Sequence, residues 1–247
     1  MAKPRPLKRP PIVEALVDLQ ASVPGGPEMF KDLADELKHE FPNKEELRNF
    51  EAKIEIKDGK VVPPRVDDVA FGGIRLANVD RTIYVQFRPN GFTLSNLKVY
   101  MGGDKFIDKG MTLWELLVGR AKPEIVSRVA LRYINRLELP LKHGDEFTRY
   151  LTSAPDLPAG APQQVSQFLS RIVGHDAQRQ ASAVVIQQLQ EQQPGKSIAV
   201  TVDVDVFRTG QFPVDSTALR EVLGSLRMLK NETFFSLLTE ETVSLYE

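Results

Sequence analysis

The chain contains no cysteine, three histidines and one tryptophan. Without cysteine there are no disulfides, no thiolate nucleophile and no Cys-ligated zinc. Scarce histidine leaves few groups that titrate near neutrality. His39 lies near a helix end, His143 in a Gly-Asp turn and His175 beside Asp176, and none has a persuasive acid–base setting. No apolar run approaches the roughly 20 residues that cross a bilayer. The opening "MAKPRPLKRPP" is basic but lacks the apolar stretch of a secretory signal, so a soluble, cytoplasmic protein is expected. Charge of one sign is also missing. Thirty-two Lys and Arg against 33 Asp and Glu leave a formal net charge of -1, which argues against a broad nucleic-acid-binding surface.

What is present is alternation. "PIVEALVDLQA" places Val13, Ala15, Val17 and Leu19 on one side of a strand and Glu14, Leu16 and Asp18 on the other. "PEMFKDLADELKHEF" then spaces Met29, Phe30, Leu33, Leu37 and Phe41 helically, between Pro27 and Pro42. "FEAKIEIKDGKVV" predicts a hairpin around Asp58-Gly59. Three extended segments follow between 69 and 97, divided by Asp80-Arg81 and Asn90-Gly91. A helix is expected over 105–120, with Phe106, Ile107, Trp114 and Leu117 facing the core.

The second part replays this order. A strand at 127–139 leads to a short helix near 144–151, extended segments at 164–173, 180–189 and 197–207, and a helix over 216–237. Short, closely spaced strands favour antiparallel meanders over parallel units with crossover helices. The expected fold is α+β, mainly antiparallel sheet with packed helices, in two related strand-helix-strands-helix halves. These would be a proline-rich tail at 1–10, an amino-terminal half at 11–122 and a carboxy-terminal half at 123–247, packed as one unit. An unrepeated α+β domain is the alternative.

Several short motifs fail on inspection. "MGGDKF" at 101–106 shares a few letters with diguanylate cyclases, but lysine follows Asp104 where an acid belongs. "PGKS" at 194–197 copies the end of a phosphate loop, yet Gln190 stands where the loop's first glycine is required. "VTVDVDVF" at 200–207 carries more. Asp203 and Asp205 project from one face of a strand, roughly 7 Å apart at Cα, and could share a divalent cation with Glu138 as a third donor. They could equally pair with arginines of a neighbouring strand.

Those arginines are in "VALRYINRLELP". Arg128, Arg132 and Arg136 recur every four residues, about 13 Å apart, so one small anion cannot hold all three. Glu14 and Asp18 repeat at the same interval on the first strand. Pairing between strands, a partner-facing surface and a small anionic ligand are the three readings. Asn135 falls among the apolar residues of the opposite face and needs partners there.

"PPIVEALVDL" at 10–19, "FRPNGFTLSNLKVY" at 87–100 and "SRVALRYINRLELP" at 127–140 resemble a sporadically distributed, uncharacterised group of bacterial proteins of similar length. Here "FTLSNLKVY" is less polar than the group's pattern. The resemblance implies no reaction, substrate or cofactor, and its patchy distribution suits accessory roles in defence or toxin control. The expected function is a non-enzymatic interaction module that needs no cofactor, binds a protein partner and forms a homodimer. The alternative is an Mg²⁺- or Mn²⁺-dependent enzyme acting on a phosphate-containing substrate, with Asp203, Asp205 and Glu138 as ligands and Arg132 or Arg136 neutralising phosphate charge.

Overall fold

The computed structural model describes residues 1–57, 60–98, 100–141, 146–153, 155, 157–158, 160–162, 165–190 and 197–247, without side chains for 50–57 and 60–69. The Asp58-Gly59 turn, His143 and most of "PGKS" lie outside the described residues.

Alternating apolar residues set the strands. β1 (Ile12–Ala21) buries Ala15, Val17, Leu19 and Ala21 and turns Glu14, Leu16 and Asp18 the other way. Val13 departs from the expected pattern. The β1–β6 register slips between Ile12 and Glu14, so Val13 is the extra residue of a bulge and is 39% exposed, while Ile12 packs on the core.

α1 (Pro27–Glu36) is followed by β2 (Asn43–Lys57), β3 (Lys60–Ala77), β4 (Ile83–Arg88) and β5 (Gly91–Leu97), then α2 (Gly103–Ala121). The second half runs β6 (Val126–Leu139), a single 3₁₀ turn at Phe147–Arg149, β7 (Leu169–Asp176), β8 (Ala181–Leu189), β9 (Ile198–Phe212) and α3 (Ser216–Ser236). α4 (Glu240–Ser244) was not indicated by periodicity; Thr239 Oγ1 caps it by accepting from the Thr242 N–H.

The strands form one sheet in the order β2-β3-β4-β5-β1-β6-β9-β8-β7, antiparallel at every ladder. In each half the last strand returns beside the first and the others meander outward. The two first strands, β1 and β6, then pair at the centre, where Val17 meets Leu131.

Helices cover one face. Trp114 of α2 is fully buried and donates from Nε1 to the Val214 carbonyl at 2.8 Å. Leu219, Leu223 and Leu226 of α3 join the same core as Val129, Leu131 and Val204. The proline-rich opening is tied down as well. Ala2 N–H donates to the Leu238 carbonyl, Arg5 pairs with Glu240 and Glu247, and Arg9 N–H donates to the Tyr246 carbonyl.

Candidate functional site

The opposite sheet face carries no helix among the described residues. Antiparallel sheets tolerate this because their strands alternate apolar and polar faces. At its centre the expected arginines and acids meet. Arg128 donates from Nη1 to Asp18 Oδ1 and from Nη2 to Asp205 Oδ2, both at 3.0 Å, joining β1, β6 and β9. Arg88 of β4 reaches the other oxygen of Asp18 at 3.0 Å and Thr93 Oγ1 at 2.8 Å, and Thr93 itself donates to Asp18. Arg132 grips Asp203 with Nε and Nη2 in the two-pronged geometry that suits a guanidinium and a carboxylate.

Register explains the pairings. Asp205 stands opposite Arg132, and Asp203 opposite Ile134, so Arg132 reaches along the diagonal to Asp203, while Arg128, opposite Thr209, extends four residues along β9 to Asp205. The Arg128 guanidinium also lies over the Phe207 ring, 4.6 Å from its centroid. Hydrogen bonds donated to Asp203 hold the Arg132 guanidinium charged more firmly than usual. Burial pushes the Asp205 carboxyl up, against the pull of Arg128 and Arg132, and its Oδ1 finds no hydrogen-bond partner among the described residues.

Arg136, Glu138 and Glu14 stand outside this network. Arg136 and Glu138 are 3.8 Å apart, and both line a shallow groove of about 580 Å³ with Arg9, Val13 and Tyr246. Glu14 is half-buried on the open face, where its charge acts on Arg132. Arg88 was missed in the sequence, because its own strand offers no repeat of basic residues to single it out.

For a metal site, Asp203 and Asp205 share a face, but arginines engage both. Glu138 lies on the adjacent strand opposite Ala199, four residues along β9 from Asp203 and so about 13 Å away. Among the described residues no group of three or more Asp, Glu or His is placed to hold an ion. His175 falls within β7, with Nδ1 2.9 Å from Ser182 Oγ.

A second cluster lies on the helix side. Lys230 of α3 is 8% exposed, with Nζ 3.8 Å from the centroid of the Tyr133 ring and 2.6 Å from Asn231 Oδ1. Burial, reinforced by the like charge of Arg227, pushes its pKa down to about 7. Tyr133 and Tyr100 share a hydroxyl–hydroxyl hydrogen bond, and burial pushes both phenols up, so both stay protonated. Asn135 donates to the carbonyls of Tyr133 and Val202, which satisfies the amide predicted to need partners. The sequence hid Lys230, since one lysine in an amphipathic helix reads as solvated surface.

No protein-family model matches the chain, and no curated protein matches it in sequence.

Proposed function

We propose that the protein is a non-enzymatic interaction module that docks a protein partner on the open face of its sheet. The observation that carries this reading is the self-neutralised centre of that face. Arg88, Arg128 and Arg132 are already answered by Asp18, Asp205 and Asp203, so these three arginines at the centre of the face are not free to hold a polyanion. Half-buried Leu16, Ile134, Val184, Ile186 and Phe207 lie among these pairs, giving the mixture of apolar area and fixed polar groups found at protein interfaces. Engagement of Asp203 and Asp205 by arginine disfavours the metal-dependent alternative. The resemblance to sporadically distributed bacterial proteins supports an accessory role in defence or toxin control.

Site-specific photocrosslinking in the native host tests the reading. A benzophenone side chain at Val184 or Ile186 should give one adduct of defined mass, and the same group at exposed Met228 of α3 should give none. A Glu14→Lys, Gln188→Glu double change on the face should remove the adduct without unfolding the protein. Adducts of equal yield from both faces, or none from the sheet face, would refute the proposal.

A further inference from the structure

Lys230 opens into a cavity of about 380 Å³ between α3, the start of α2 and the amino-terminal segment. That volume is within the range of small-molecule sites. Its walls divide chemically. Leu7, Ile12, Phe234 and Phe235, with the prolines of residues 4–11, form an apolar side. Arg5, Arg227, Lys230 and Tyr100 bring polar groups to the other.

Charge accounting narrows the ligand. No carboxylate is among the lining residues. Arg5 is neutralised by Glu240 and Glu247, and Arg227 by Asp104. Lys230 has no acidic partner among the described residues; its bond to Asn231 is to a neutral amide. One cation is therefore left uncompensated in a mostly dry setting, which suits a single negative charge better than a doubly charged phosphate. The Tyr100–Tyr133 pair has two phenolic protons and uses one between its own oxygens, and Tyr100 is among the residues that line the cavity. Gly103, in the first turn of α2, leaves the space that the Arg227 side chain fills; a Cβ there would stand 2.5 Å from the guanidinium carbon.

We propose that this cavity binds a small organic monocarboxylate, its carboxylate at Lys230 and its apolar body against Phe234, Phe235 and Ile12. The site is independent of the sheet-face reading, since it lies on the helix side of the sheet. Binding is coupled to protonation. The polar groups that share the cavity with Lys230 are Tyr100 before α2, Asn135 from β6, Arg227 and Asn231 from α3, and Arg5 from the amino-terminal segment; the Tyr133 ring packs against the ammonium group, and Asp104 acts through Arg227. Of these, Lys230 is the one whose proton equilibrium lies near neutrality. An anion holds its charged form, so affinity is greatest below pH 7 and falls by up to about tenfold per pH unit above it.

Calorimetric titration of the full chain with hexanoate and with benzoate tests this, at pH 6.5 and pH 8.5, with hexanol and inorganic phosphate as comparison probes. Saturable binding of a carboxylate at pH 6.5, weakened by about tenfold or more at pH 8.5, is expected. Hexanol and phosphate should give no saturable heat. Lys230→Met, checked for folding by circular dichroism, should lose the carboxylate response. Should that variant not fold, acylation of Lys230 in the wild-type protein decides, since hexanoate should protect it and hexanol should not. Absence of carboxylate binding, undiminished binding by a folded Lys230→Met, preference for phosphate, or no protection of Lys230 would each overturn the proposal.

Discussion

A buried lysine without a counter-ion is a destabilising group, and its effect can be read against pH. The folded-state pKa of Lys230 is lowered to about 7 from 10.5. Below pH 7 both folded and unfolded chains hold the proton, and the penalty is constant. Between about 7 and 10.5 the unfolded chain still binds the proton and the folded one does not, so stability rises with pH. Replacing Lys230 by Met removes the desolvation cost while keeping the volume and the apolar stem. We expect this variant to melt higher at pH 7, with a gain on the order of 1–4 kcal/mol, and to lose the pH dependence between 7 and 10.5. Chemical denaturation at several pH values measures both. A variant less stable than the wild type at pH 7 would show that Lys230 contributes more through its contact with Tyr133 than it costs by burial.

Among strands, the charge ladder should be strongly unequal along its length. Among the described residues Arg128 is the only side chain that pairs with both Asp18 and Asp205, and all three side chains are about one-fifth exposed. Arg128→Ala strands the partly desolvated Asp205, while Asp18 keeps Arg88 and Thr93, and should cost about 2–3 kcal/mol, below the value for a fully buried pair because water still reaches the site. Arg136 meets Glu138 at 3.8 Å with both side chains half in solvent, and Arg136→Ala should cost under about 0.5 kcal/mol. Urea unfolding of the two variants gives the comparison, and equal losses would contradict the pairing described. Much at this scale was legible in the sequence. Alternation gave the outer and inner faces of β6 and β9, and the four-residue spacing of Arg128, Arg132 and Arg136 put them on one face, although Arg136 stays outside the network. The pattern could not show diagonal pairing, since register depends on strands far apart in the chain. It also misplaced Val13, because a bulge inverts alternation locally without changing composition. Glu138 failed as a neighbour of Asp203 for the same reason: adjacency of strands does not fix the offset between them.

For the whole molecule, the antiparallel α+β architecture followed from the density of turns, whereas the strand order did not. β1 lies between β5 and β6 only because distant segments return to it, and no local signal encodes that return. The sheet also has two ends. At one of them β7 leaves Leu169, Ile172 and Val173 at 68%, 54% and 42% exposure, an apolar edge of the kind that pairs with another chain. If the protein forms the expected homodimer, this edge is where two copies would extend one sheet into the next. Sedimentation velocity over a range of concentrations should then show a dimer that Val173→Lys converts to monomer. A wild-type monomer at all concentrations, or a dimer indifferent to the change, would rule out this edge.

The position of β1 also has a consequence for synthesis on the ribosome. β1 emerges first, yet its two neighbours in the sheet are β5, which begins at Gly91, and β6, which begins at Val126. At roughly 5–20 residues per second, both of its edges stay unpaired for several seconds while the intervening chain is made. The first strand of this sheet to be made is thus enclosed on both edges only after β5 and β6 have followed, and the central seam closes only when the second half has begun to appear.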